Sequence, residues 1–139
     1  MPQPSLLYSI KQVELATRAR LDELLRPSGL TTLQYTALTV LERRSGLSGA
    51  ELARNSFVTP QSMADVIAAI ERRGLISRSV DPANRRRHIL GLTDAGRRFL
   101  AEYAEPVAAL EEQMLKGFTG TEREAFRDYL NRARTAVTS

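Results

Sequence analysis

Three expected helix starts in this 139-residue chain carry a Ser or Thr followed three positions later by Glu or Gln, at the head of a run with helical apolar spacing. The pairs are Thr31 with Gln34, Ser48 with Glu51, and Thr121 with Glu124. In each, the hydroxyl satisfies an exposed backbone N–H at a helix start, and the longer side chain reaches back to another. A fourth start is written differently. Thr59 precedes Pro60, and proline gives up nothing at the first helical position, where its missing N–H has no partner anyway. Gly29, Gly46 and Gly74 supply breaks. A chain punctuated in this way folds as short helices joined by tight turns, and the expected class is mainly α.

Apolar spacing fills in the elements. The first helix is expected over about 5–26, with Leu6, Ile10, Val13, Leu21 and Leu24 on one face, ended by Pro27, Ser28 and Gly29. The second runs from Thr31 to about Arg44 and buries Tyr35, Leu38 and Leu41; a short third covers 48–54. The fourth reaches about Arg73, with Met63, Val66, Ile67 and Ile70 inward and Thr59, Gln61, Ser62 and Asp65 outward. Segments 75–80 and 86–92 are rich in Leu, Ile and Val and flank an Asp-Pro-Ala-Asn turn, which reads as a hairpin. Thr93 then caps a long helix over about 94–117, which Pro106 is expected to kink or divide. A last helix opened by Thr121 carries Phe126, Leu130, Ala133 and Val137 on its inner face.

Composition narrows the chemistry. Hydrophobic residues make up 42% and charged residues 26%, within the range of chains that bury a core. The length suits one domain and leaves no room for a second catalytic one. Without cysteine there are no disulfides, thiolate metal sites or thiol redox sensors. A single His excludes a multi-histidine metal site within one chain. The start of the sequence lacks a secretory signal, and no stretch approaches the roughly 18 apolar residues of a membrane span. A soluble, cytoplasmic protein without a cofactor is expected.

Charge is unevenly placed. The net +4 divides into 6 basic and 4 acidic residues over 1–44, 9 and 5 over 45–99, and 5 and 7 over 100–139. A basic middle points to a polyanion as partner. That middle contains two helices joined by a short turn, the second with an apolar back and small polar residues at its N-terminus, as in a helix-turn-helix. Such a helix fits the major groove of double-stranded DNA. Gln61 is the best base reader, because its amide matches the donor and acceptor of adenine. Ser62 and Thr59 suit a base or a phosphate, although capping explains Thr59 equally well. Arg85, Arg86 and Arg87 lie just past the hairpin tip, beside Arg78, and guanidinium groups on a thin arm suit the minor groove. Three consecutive residues of a strand cannot all point one way, so some of these arginines must touch phosphate or pair with acids. Arg54, Pro60 and Arg72 complete the candidate DNA-contact set.

These segments resemble the multiple-antibiotic-resistance regulator (MarR) family along nearly the whole chain. The resemblance rests on Gly29-Leu30-Thr31-Thr32-Leu33-Gln34-Tyr35 with Leu38 and Leu41, and on Glu71-Arg72-Arg73-Gly74-Leu75-Ile76. Its most specific part is Asp81-Pro82-Ala83-Asn84-Arg85-Arg86-Arg87 leading to Leu92-Thr93-Asp94-Ala95-Gly96. It implies a winged helix-turn-helix transcription factor working as a homodimer, with the helix after Thr59 in the major groove and Arg86 as the wing arginine. Asn84 replaces the family's usual second Asp, which helps orient that arginine. The single domain then divides into a DNA-binding part over about 30–93 and dimerisation helices over about 5–27 and 94–137, whose apolar positions exceed what the small winged core can cover. The resemblance also implies a crevice for a small aromatic or phenolic effector, for which Tyr8, Lys11, Arg18 and Tyr35 are candidates. The expected function is a repressor on a pseudo-palindromic operator. Two alternatives are an architectural or protein-interaction module without sequence selectivity and a small enzyme. The enzyme reading finds no nucleophile elbow, phosphate-binding loop or zinc-helix motif to rest on.

Overall fold

The computed structural model describes residues 2–139, and the chain order is helices, hairpin, helices. Helix α1 spans Leu6–Leu25 and a 3-10 turn, Arg26–Ser28, follows. Next come α2 (Thr32–Arg43), α3 (Gly49–Asn55) and α4 (Pro60–Arg72). The antiparallel strands β1 (Ile76–Asp81) and β2 (Asn84–Leu92) precede α5 (Asp94–Met114) and α6 (Gly120–Thr138). This is a winged helix-turn-helix carried between long terminal helices. Among the described residues, no helix is long and apolar enough to cross a membrane.

Two expected capping boxes close as written, Thr31 with Gln34 and Ser48 with Glu51. The third does not. The last helix is capped by Thr119 with Glu122, not by Thr121 with Glu124. Both pairs obey the same rule. Starting two residues earlier sets Phe118 against Phe126, with ring centroids 5.7 Å apart, and lets Arg123 reach Glu112 at 2.8 Å. Pro106 lies inside α5, which continues through it as one helix of 21 residues and is not divided.

The core gathers Leu38 and Leu41 of α2, Leu52 of α3, Met63 and Ile70 of α4, and Leu90 of β2, together with Leu25, Phe99 and Leu100 from the long helices. Each such side chain contributes about 1.5–3 kcal/mol by leaving water. Helix α4 buries Met63, Val66, Ile67 and Ile70, as its spacing requires. Helix α2 buries Ala37 and Val40 beside Leu38 and Leu41, while Tyr35 is half-buried at the edge. Helix α1 departs from expectation. Only Leu25 is buried there, whereas Leu6, Ile10 and Val13 of the expected stripe lie exposed and Leu21 and Leu24 are half-buried. Helix α6 buries nothing, and Leu130 and Val137 are open to solvent.

The hairpin is anchored at its base by a bridge from the loop before α3: Gly46 N–H donates to the Leu90 carbonyl at 3.0 Å, and Leu90 N–H to the Leu47 carbonyl at 2.8 Å. At its other side Thr93 N–H donates to the Leu75 carbonyl at 3.1 Å, and the Thr93 hydroxyl to the Gly74 carbonyl at 2.6 Å. The first turn of α5 presses on that same backbone, so that a Cβ at Gly96 would stand 2.2 Å from the Leu75 carbonyl oxygen. Backbone cannot step aside as a flexible side chain can. Gly96→Ala is therefore expected to destabilise the fold by about 2–3 kcal/mol, read as a lower urea midpoint at unchanged slope. A change below about 0.5 kcal/mol, the size of an ordinary surface substitution, would show that this junction yields.

Candidate nucleic-acid interface

Helix α4 begins with Thr59, whose Oγ1 accepts from Ser62 N–H at 3.1 Å and lies 3.0 Å from the Ser62 hydroxyl. Both hydroxyls are thus occupied with one another. Gln61 is exposed beside them without a side-chain partner among the described residues, and Pro60, Ala64, Asp65, Ala68 and Arg72 continue the exposed face. The apolar back of the helix fixes this outward orientation. Arg54, on α3, is exposed and also carries no side-chain partner among the described residues.

The wing distributes its arginines through an irregular register. Val80 pairs with His88, but the next residue, Asp81, pairs with Asn84, so Arg85, Arg86 and Arg87 form extra chain on β2. Such bulges redirect side chains. Asp81 Oδ1 accepts from Ala83 N–H at 2.9 Å to shape the turn, and Asn84 Oδ1 accepts from Arg86 N–H at 3.2 Å. Asn84 therefore orders the backbone of Arg86, a task that needs no charge. Arg85 and Arg86 are exposed, with no carboxylate partner among the described residues. Arg87 is different: its guanidinium pairs with Asp81 Oδ2 at 3.0 Å and with Glu51 of α3. Arg78 pairs with Glu71 at 3.2 Å. Nine of the ten expected contact residues are thus exposed and Arg87 is half-buried, and two of the arginines, Arg78 and Arg87, are held by acids.

Above this surface, a cleft of about 710 Å³ runs between α1, α2, α5 and the turn joining α3 to α4. Of the four expected effector residues, only Arg18 lines it; Tyr8, Lys11 and Tyr35 lie outside its lining. Arg18 forms a two-pronged contact with Glu14, at 2.7 and 2.6 Å, and this hydrogen bonding holds the Glu14 carboxyl below the usual carboxylate range. Tyr35 is half-buried, and burial first, then Glu42, pushes its phenol above the ordinary value.

Two lining residues carry no signal in the sequence. Ser56 is buried, and its hydroxyl has no hydrogen-bond partner among the described residues. Phe57 has φ of 60° and is 78% exposed. Their backbone explains why. Val58 N–H donates to the Ala53 carbonyl at 3.1 Å and Phe57 N–H to the Arg54 carbonyl at 3.3 Å, the paired bonds of a helix ending that normally places glycine in the left-handed position. Phenylalanine holds that position here, at a cost of about 1–2 kcal/mol.

The profile of the MarR family matches residues 28–87, from the turn before α2 into the second strand of the wing. The HTH-type transcriptional repressor Rv2887 of Mycobacterium tuberculosis is 33% identical over 126 residues, covering 90% of each chain. The crystal structure of that MarR family protein in complex with salicylic acid superposes with a TM-score of 0.76 at 30% identity, over 94% of this chain and 97% of the other. The crystal structure of MarR itself is similar at a TM-score of 0.81 and 28% identity, over 98% of this chain and all of that one. Likeness along nearly the full length, with α2 to α4 and the first part of the wing inside the matched segment, decides between the regulator and enzyme readings: this chain belongs to the MarR family and is a winged helix-turn-helix transcriptional regulator, not an enzyme.

Proposed function

We propose that the protein is a ligand-responsive repressor that acts in the cytoplasm and occupies a pseudo-palindromic operator as a homodimer. The observation that carries this reading is the pairing of an outward N-terminal turn on α4, led by Gln61, with two wing arginines, Arg85 and Arg86, that no carboxylate neutralises. Helix α4 enters the major groove with Gln61 at a base edge, and Ala64 and Ala68 leave room for close approach. The wing arginines enter the adjacent minor groove. Arg54 and Arg72 meet phosphate. Thr59, Pro60 and Ser62 shape and cap the entering turn.

The dimer reading rests on α1 and α6. Leu6, Ile10, Val13, Leu130 and Val137 leave apolar area in water that nothing among the described residues covers, and exposed apolar faces of this kind mark protein contacts. A two-fold pairing through the terminal helices sets the two copies of α4 about 34–36 Å apart, one turn of the duplex.

Selection of bound fragments from random duplex DNA tests these points together. The expected product is an inverted repeat with half-sites about 10 base pairs apart, and log affinity should fall against log salt with a slope of about −0.9 per neutralised phosphate. Arg86→Ala should weaken binding by about 1–3 kcal/mol and relax the A·T preference beneath the wing, whereas Gln61→Ala relaxes one major-groove position. Recovery of unselected fragments would favour the architectural alternative; unaltered selectivity in both variants would remove those two assignments.

The cleft beneath α1 and α5 is the proposed effector site. Its apolar wall and the unpartnered Ser56 hydroxyl fit a planar aromatic ring bearing hydroxyl or carboxyl groups, with Arg18 meeting a carboxylate when it gives up a bond to Glu14, and salicylic acid, bound by the M. tuberculosis relative, is such a molecule. Ser56 and Phe57 stand four and three residues ahead of α4, so a ligand seated on them acts directly on the entry to that helix. Phe57→Gly should relieve the left-handed strain and raise stability by about 1 kcal/mol, while weakening release of DNA by salicylate. Thermal unfolding and a DNA-binding titration with the acid read the two effects. A destabilised variant that responds normally to salicylate would contradict both.

A further inference from the structure

The three wing arginines divide by what surrounds them, and Arg87 stands apart. Among the described residues, the hairpin has backbone partners outside itself only at its base, around Leu47 and Leu90. From there to the tip it is two strands alone, an arrangement that is marginal without further support. Arg87 supplies that support. One guanidinium nitrogen meets Asp81 Oδ2 at 3.0 Å, across the wing turn, and another meets Glu51 Oε1 in the first turn of α3. Glu51 is itself held in place, because its Oε1 accepts from Ser48 N–H at 3.0 Å in the capping box. Asp81 is likewise fixed by Ala83 N–H.

We propose that Arg87 is a positioning residue that braces the wing against α3 through Glu51, setting the angle at which Arg85 and Arg86 leave the hairpin, and that it makes no DNA contact itself. Two carboxylates around one guanidinium leave the group with a net charge of −1, which repels phosphate. The side chains of Arg87, Glu51 and Asp81 are 36%, 29% and 14% exposed, so the brace is partly shielded from water and salt. Helix α3 packs on α4, and an angle fixed against α3 is thereby fixed against the helix proposed to read the major groove. The DNA consequence rests on that function; the brace itself does not.

The test compares Arg87→Gln, Glu51→Gln and the double variant with Arg85→Gln. Glutamine at 51 keeps an acceptor for the Ser48 N–H and removes only the ion pair, so the helix start survives. Without DNA, amide hydrogen exchange across 81–89 should quicken about two- to fivefold in Arg87→Gln and in Glu51→Gln, the range commanded by a partly exposed ion pair. The double variant should go no further than either single one, and Arg85→Gln should match the wild type. With the selected DNA, both brace variants should lose discrimination against random duplex while keeping the salt slope, whereas Arg85→Gln lowers it by about 0.9 per protomer. Wing exchange unchanged in both brace variants overturns the proposal. So does a slope lowered by about 0.9 in Arg87→Gln with tighter binding in Glu51→Gln, the signature of a direct phosphate contact. A wild-type protein that binds no DNA would defeat the proposed function, and the exchange measurement would still decide the brace.

Discussion

The winged helix-turn-helix closes on a contact between two pieces of main chain. Where the wing turns into α5, the Leu75 carbonyl accepts from Thr93 N–H, the Thr93 hydroxyl donates to the Gly74 carbonyl, and the same hydroxyl oxygen accepts from Gly96 N–H at 3.1 Å to cap α5. One threonine thus joins the end of α4, the start of β1 and the start of α5. Side chains can repack around a cavity, but a carbonyl lodged 2.2 Å from where a Cβ would stand permits only glycine at position 96. This junction aims α5 away from the winged core. The direction in which α5 departs determines which apolar residues the core can reach, namely Phe99, Leu100 and Tyr103 near its start, and which it leaves for another surface.

Local chemistry made most of the architecture readable. Helix starts were legible wherever a hydroxyl residue stood alone ahead of a partner three positions on, as at Thr31, Ser48, Thr59 and Thr93. At the sixth helix the rule was satisfied twice, by Thr119 with Glu122 and by Thr121 with Glu124, and the meeting of Phe118 with Phe126 is among the contacts that separate the two. That contact depends on chain eight residues away and is invisible to a capping rule. Burial along α1 was less legible, for a physical reason. The spacing of Leu6, Ile10 and Val13 describes an apolar face correctly but carries no information on whether the chain's own core or some other surface covers it. Pro106 illustrates a third kind of limit, since the loss of one hydrogen bond is weighed against the packing on either side of it, and in α5 the helix persists.

The candidate site was legible to the same depth. Residue types and positions at the head of α4 could be read because capping and the apolar back leave little freedom to Gln61 and Ser62. The mutual contact of Thr59 and Ser62 favours capping and turn geometry over base reading for that pair. Ser56 and Phe57 were not legible. A left-handed residue announces itself in sequence when it is glycine, and phenylalanine in that position is an exception that only the backbone reveals. An unpartnered buried hydroxyl is likewise a property of surroundings, not of residue type. Both abnormalities fall at the same turn, between α3 and α4, and strain of this kind is retained where the surrounding structure over-determines it.

The basic middle of the chain, read as a count, overstates the charge offered to a polyanion. Of the nine arginines over 45–99, Arg78 is held by Glu71, Arg87 by Glu51 and Asp81, and Arg97 by Asp94, while Arg73 donates to the Ser28 carbonyl. Those four stitch elements together, as the capacity of guanidinium for several simultaneous hydrogen bonds permits. Arg54, Arg72, Arg85, Arg86 and Arg98 carry no carboxylate partner among the described residues. The division also accounts for Asn84. With Arg87 already paired to acids on two sides, another aspartate in the turn would add a third carboxylate within reach of the wing arginines and draw Arg86 inward. The amide orders the same backbone through the Arg86 N–H and leaves that guanidinium free.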